Sequence, residues 1–275
     1  MAVVAISRKV GSYGEEIGAL VAAKLGYRLI SREEIHRLGQ ECDPQFKDAC
    51  SMFESEAPAG GLLDRFFFRD PAYTALFAAL NYELASQGEV VIMGRGAQIV
   101  LADTPGVCKV RVVAPTALRV ERIMALKGVP LEEAREYVRR YDHQRRSLIE
   151  SVYQRDLGDW SLYDLVVNTA NMNQQVASDI VCQAVRSMSR PDDPAALKER
   201  LLGLAFAKRV ESAIKKQVLT SEYRNVDVAS LGGGMVELRG YVQDKRMREK
   251  AERIARDQAG VTDVENKLKT TELSW

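Results

Sequence analysis

Apolar residues over the first 186 positions fall into two alternating textures. Short runs, "AVVAI" (2–6), "EVVIMG" (89–94), "CKVRVVA" (108–114) and "YDLVVNT" (163–169), are apolar on consecutive positions and rich in β-branched residues. Between them lie stretches with apolar residues at helical spacing: near 15–25, from 32 onward, 71–87, 116–126, 131–155 and 173–189, with a shorter "YRLIS" after the first. Consecutive apolar positions imply strands buried on both faces, and helices between them imply a parallel sheet flanked by helices, an α/β domain. Ligands of such sheets gather at the carboxyl ends of the strands, so the turns that follow the apolar runs are where chemistry is sought.

The pattern breaks at "SMSRPDDPA" (187–195), where two prolines bracket two aspartates. A helix follows over 196–219, then a strand (225–230), three glycines, a strand (235–241), a helix (244–258) and a strand (261–270). Alternating apolar residues on both sides of "GGG" read as a β-hairpin with a permissive turn. The division is therefore an α/β domain over 1–186, a linker over 187–195 and a small α+β domain over 196–275. A chain of 275 residues also exceeds the usual size of one core.

Charge adds little to this picture. Residues 196–275 carry 16 Lys and Arg against 12 Asp and Glu, the remainder 23 against 26, and the whole chain is +1, so no field favours nucleic acid. No apolar stretch reaches the roughly 20 residues that span a bilayer. Arg8 and Lys9 follow the first apolar run, the reverse of a signal peptide, which implies a cytoplasmic protein without a transmembrane segment. Cys42, Cys50, Cys108 and Cys182 show no paired spacing and the only histidines are His36 and His143, so no zinc site is expected and the thiols read as structural.

Three local signals carry candidate chemistry. In "SRKVGSYGEEIG" (7–18) an apolar run passes through a turn with Gly11 and Gly14 into a helix, an arrangement that brings backbone N–H groups and a helix N-terminus to an anion. A complete Walker loop also needs a lysine and a Ser/Thr hydroxyl, and a plain strand-to-helix turn is the competing reading. In "VIMGRGAQIVL" (91–101) Arg95 sits between two glycines just past a strand, where its fork suits a phosphate, although a surface arginine in a glycine turn looks the same. The arginine series Arg119, Arg122, Arg135, Arg139, Arg140, Arg145 and Arg146, with Asp142 among them, suits a helical flap over a phosphoryl group, most of its members being solvated.

In this order, "SRKVGSYGEEIG", "VIMGRGA", "VRVVAPTALRVERI", "YDHQRR" and "YDLVVNT" resemble the cytidylate kinase-like family of nucleoside monophosphate kinases, which have the P-loop fold. The resemblance covers about residues 1–186. It implies ATP and magnesium, with CMP or dCMP as acceptor. It places Gly11, Ser12 and Gly14 on the ATP phosphates, Arg95 on the acceptor phosphate, Arg145 on the transferring group and Asp142 beside the acceptor. The departures are Gly14 at the place of the lysine, Glu16 at that of the magnesium-binding hydroxyl and Gly96 at that of an aspartate after Arg95. Arg8 or Lys9 is the candidate replacement cation, and the metal ligand stays open. From 197 to 271, "VELRGYV", "AERIA" and "AGVTDVENKL" resemble a BON domain, which implies a protein or phospholipid partner. Charges in "DKRMREKAERIARD" alternate at helical spacing, as on a solvated face. Two functions follow from different classes: an ATP-dependent nucleoside monophosphate kinase with a docking module, and a nucleotide-binding sensor that signals through the BON domain without turnover.

Overall fold

The computed structural model describes residues 2–42, 71–216 and 225–271. The aromatic run "GLLDRFFFRD" and the Gly/Pro-rich stretch at 57–61 lie outside them. Strands β1 (Val3–Arg8), β2 (Arg28–Ile30), β3 (Val90–Met93), β4 (Val107–Val113) and β5 (Leu165–Asn168) form one sheet in the order β2-β3-β1-β4-β5. Every neighbouring pair is parallel. The α/β parallel architecture expected from the apolar runs is present, with the central strand β1 leading into the candidate loop.

Side-chain alternation divides β1 between two cores. Val3 and Ala5 face α2 (Arg32–Cys42), α3 (Pro71–Gln87) and the short α4 (Ala97–Val100), through Ile35, Leu80 and Ala97. Val4 and Ile6 face α1 (Gly14–Leu25) and α7 (Gln174–Ser187), through Ile17, Val21 and Val181. Two further helices, α5 (Thr116–Lys127) and α6 (Leu131–Tyr153), pack on each other through Val120, Ile123, Ala134 and Val138, forming a satellite core beside the sheet's carboxyl edge.

The proline-bounded break contains a helix start. Pro194 is the first residue of α8 (Pro194–Lys216), and the Asp193 carboxylate accepts the N–H groups of Ala195 and Ala196. Aspartate before a proline at the first helical position is a strong start signal, because the cap fills an orphan donor and proline lacks one. Leu197 and Leu201 then enter the core of the sheet domain, whereas Ala207, Val210 and Ile214 enter the core of the second. Helix α3, covered by the sheet on one side and α8 on the other, is buried almost all round, which is why its sequence shows no polar face. Glu83 of α3 pairs with Arg209, and the Ser212 hydroxyl donates to the Ala72 carbonyl at 2.8 Å.

The second domain has β6 (Val226–Gly232) antiparallel to β7 (Met235–Val242), followed by α9 (Lys245–Arg256). The single strand expected over 261–270 is two short ones, β8 (Asp263–Asn266) and β9 (Lys269–Thr270), both parallel to β7. On α9, Lys245 pairs with Glu249, and Arg256 with Glu252 and Asp263, as expected of a solvated face. No helix among the described residues is long and apolar enough to cross a membrane. Removing the Leu201 side chain leaves a cavity where α8 meets the first core. Leu201→Ala is expected to cost about 2–5 kcal/mol, measured by urea unfolding of the full chain.

Candidate functional site

The β1–α1 turn is shaped by what holds its carbonyls. The Val10 carbonyl accepts from Arg119, that of Gly11 from Arg122 (3.2 Å), and that of Ser12 from the Thr169 hydroxyl (3.1 Å). Because a trans peptide is planar, fixing these carbonyls on one side turns the N–H groups of Gly11 and Tyr13 to the other. Gly11 and Tyr13 both have positive φ (72° and 63°), and Tyr13 caps α1. Alternating left-handed residues followed by a helix N-terminus make a concavity of amides suited to an anion. Gly11 is required twice over, since a Cβ there would lie 2.8 Å from the Arg119 carbonyl oxygen.

Arg119 and Asp142 join this turn to α6. Arg119 is 1% exposed and lays both terminal nitrogens on the Asp142 carboxylate, at 3.1 and 2.7 Å. Its remaining donors reach the Ala114 carbonyl, the Val10 carbonyl and the Thr116 hydroxyl. One turn further along α6, Arg145 donates to the Arg8 carbonyl at 2.8 Å. Arg122 stacks on the Tyr13 ring, 3.9 Å from its centroid, while holding Thr169. The arginines of "ALRVERI" are therefore fasteners of the loop.

Arg8 occupies the middle of the site. Its Nε donates to Glu15 at 2.8 Å, with Nη2 on the same oxygen. Its stem lies so close to Gly14 that a Cβ at residue 14 would sit 2.3 Å from the Arg8 Cβ. Its Nη1 lies where a Cβ on Gly94 would be 2.4 Å away. The side chain thus runs from the amide cradle to the turn after β3. Burial holds the Lys9 ammonium below the usual lysine range, an effect Asp142 opposes and Arg119, Arg111 and Arg146 reinforce. Cations from three elements therefore converge at the carboxyl end of β1, where a phosphate would be neutralised.

The turn after β3 is strained. Gly94, Arg95 and Gly96 all have positive φ (75°, 58° and 73°), which for Arg95 costs on the order of 1–3 kcal/mol and is a feature of ligand clamps. The Arg95 guanidinium lies 5.6 Å from the centre of the Phe77 ring, and its carbonyl accepts from the Tyr153 hydroxyl at 3.3 Å. A Cβ at Gly96 would be 2.5 Å from the Tyr153 ring, so tyrosine fills the volume an aspartate would need.

Of the residues singled out in the sequence, Arg8 lies against Gly14 and reaches the turn that bears Arg95, Arg145 holds the Arg8 carbonyl, and Gly11 lies in the same β1–α1 turn. Asp142 has both oxygens committed to Arg119 and acts on the site by placing α6. Ser12 is fully buried, and its hydroxyl donates to the carbonyls of Lys9 (2.7 Å) and Val112 (3.2 Å), so its part in the cradle is to close the turn. Burial pushes the Cys108 thiol up to about 12, which fits a structural thiol. Two residues were missed: Tyr153, which carries no signal in a helical pattern, and Arg111, whose signal was a charge within the apolar run "CKVRVVA".

The model of the cytidylate kinase-like family matches residues 3–171, and that of the BON domain matches residues 206–272. A cytidylate kinase from Pyrococcus horikoshii is 32% identical over 123 residues, 44% of this chain and 62% of the relative. One from Methanopyrus kandleri is 29% identical over 120 residues, 41% of this chain and again 62% of the relative. The chain thus spans less than two thirds of those two relatives' length. A cytidylate kinase from Ignicoccus hospitalis is 28% identical over 182 residues, 66% of this chain and 97% of that protein.

The packing of Tyr153 on Gly96 gives a direct test. Gly96→Ala forces an alanine into the left-handed region, at about 1–2 kcal/mol, and presses a methyl group into the Tyr153 ring. In combination with Tyr153→Ala the second cost is expected to vanish, giving a coupling of about 0.5–3 kcal/mol in a double-mutant cycle of unfolding free energies.

Proposed function

Because the chain belongs to the cytidylate kinase-like family, we propose that its first domain transfers the terminal phosphoryl group of ATP to a nucleoside monophosphate, with CMP or dCMP as acceptor. The observation that carries this reading is the course of Arg8, which reaches from Gly14, beside the amide cradle of Gly11 and Tyr13, to the Gly94–Gly96 turn that bears Arg95. A donor phosphate in the cradle and an acceptor phosphate at the turn would share that cation between them.

Transfer requires alignment and charge neutralisation more than covalent help. An acceptor phosphate oxygen attacks the γ-phosphorus, the bond to the β-phosphate oxygen breaks, and ADP leaves with that electron pair. In this scheme the amides of the loop hold the donor phosphates, and Arg8 and Lys9 supply the charge that a lysine at residue 14 would bring. Arg145, fastened to the Arg8 carbonyl, sits on the helix that covers the transferring group. Arg95 orients the acceptor, and Asp142 keeps α6 in register through Arg119.

The cradle fits phosphate, but the Ser12 hydroxyl beside it is committed to carbonyls and is not free for a magnesium ion. Glu16 is exposed at the place of the missing hydroxyl, Ser12 is turned inward, and no cluster of three metal-ligating side chains occurs among the described residues.

One observation favours the second reading, a sensor without turnover: Glu15 neutralises part of the Arg8 charge that catalysis would need. The BON domain then serves as the output, docking a protein or a phospholipid. The deciding assay is ADP formation by the full chain with ATP, magnesium and each of CMP, dCMP, UMP, AMP and GMP. The expected result is ADP dependent on CMP or dCMP, lowered about 10²- to 10³-fold by Arg8→Ala or Arg145→Ala. A thermal shift with ATP and no acceptor-dependent ADP establishes the sensor and overturns the kinase.

A further inference from the structure

One buried cation belongs neither to the loop nor to the helix that covers it. Arg111 stands on β4 in register with Ser7 of β1 and is 6% exposed. Its Nη1 donates to the Ser7 hydroxyl, and its guanidinium lies 5.7 Å from the centre of the Tyr163 ring. Tyr163 is itself buried and donates to the Leu157 carbonyl at 3.3 Å. All of these neighbours are uncharged.

No carboxylate forms an ion pair with Arg111 among the described residues. Asp142 attracts it through space, but both Asp142 oxygens are held by Arg119, and Arg119 and Arg8 repel it. Burial lowers its pKa from the usual arginine value. A buried charge without a partner is strongly unfavourable, and an apolar residue of similar volume would serve a strand better. The position favours retention for a ligand: Arg111 is at the carboxyl end of a parallel strand, one residue from the end of the β1 ladder.

The face of the sheet narrows the ligand. Val107 of β4 lies in the core with Val3, Ala5 and Ala97 of α4, whereas Cys108, Val110 and Val112 lie in the core with α1. By alternation, Ser7 and Arg111 share the α4 face, the side of the Gly94–Gly96 turn, and not the α1 face onto which the cradle leads. We propose that Arg111, together with Ser7, is a phosphate-binding subsite on the α4 face of the sheet, on the side of the Gly94–Gly96 turn, taking two oxygens of a phosphomonoester in its fork. That the phosphomonoester is the acceptor nucleotide rests on the kinase reading; the subsite itself does not.

Thermal unfolding of the full chain tests both, with inorganic phosphate, CMP and ATP each added separately to the wild type and to Arg111→Met. Expected is an unliganded midpoint unchanged or raised in Arg111→Met, because a buried unpaired charge is gone, with the shift by CMP lost, the shift by phosphate reduced to what the amide cradle contributes and the shift by ATP kept. Phosphate and CMP shifts that are undiminished in Arg111→Met, or are absent from the wild type, overturn the subsite. A phosphate shift reduced in Arg111→Met, in a protein that forms no ADP with any acceptor, upholds the subsite and removes the kinase reading. If Arg111→Met does not fold, Arg111→Lys keeps the charge and removes the fork: acceptor KM is expected to rise about tenfold with kcat less affected, and an unchanged KM overturns the proposal.

Discussion

The guanidinium of Arg119 has a partner for each of its nitrogens, and those partners come from four segments of the chain. Val10 belongs to the β1–α1 turn, Ala114 follows β4, Thr116 begins α5, and Asp142 lies in the middle of α6. Lysine could not replace it, since three donors on a flexible stem cannot meet a carboxylate bidentately and two carbonyls besides. Breaking a buried pair of this kind typically costs about 3–5 kcal/mol, because the surviving charge is left without a partner. The larger consequence is geometric. With Asp142 fixed, α6 has one register against the sheet, and that register puts Arg145 on the Arg8 carbonyl and Tyr153 on the Gly94–Gly96 turn.

The sheet domain was legible in the sequence because its strands are buried on both faces, leaving apolar runs that helices do not imitate. The β1–α1 turn was legible for a related reason: Gly11 and Gly14 follow such a run directly. What escaped was set by contacts distant in sequence. Asp142 and Arg119 are 23 residues apart and read equally well as solvated helix residues, and only the fold shows them closed on each other. Arg111 was passed over within an apolar run, although a charge in a doubly buried strand is itself a signal. At 187–195 the prolines read as a linker, whereas Asp193 and Pro194 start a helix whose apolar residues serve two cores in succession.

That shared helix joins the BON domain to the sheet domain. Leu197 and Leu201 pack with α3 in the first core, and the Arg209–Glu83 pair and the Ser212–Ala72 hydrogen bond continue the same seam. Phe77 of α3 lies in the same core and under the Arg95 guanidinium. A displacement of α8 by a partner on the BON domain would therefore reach Arg95 through a single helix. Arg95 is already held in a strained backbone conformation, and strained residues persist only where the surroundings over-determine them.

The departures from the kinase pattern are not independent losses. At residue 14 a lysine is missing, and the volume beside that position is filled by the stem of Arg8, so close that any side chain at 14 would collide with it. At residue 96 an aspartate is missing, and the Tyr153 ring occupies its place. Each glycine is thus paired with a larger residue from another element, and a side chain added at either glycine meets a steric cost. Decay of an unused site would remove side chains without supplying replacements that interlock. Here a cation is retained at the cradle, delivered from the end of β1 instead of the start of α1, and the turn that bears Arg95 is braced by a tyrosine from the covering helix. The volume left by each missing group is occupied, and at the cradle a cation stands beside it, although Glu15 holds that cation in an ion pair, which is the physical argument behind the proposal that the turn receives a phosphate.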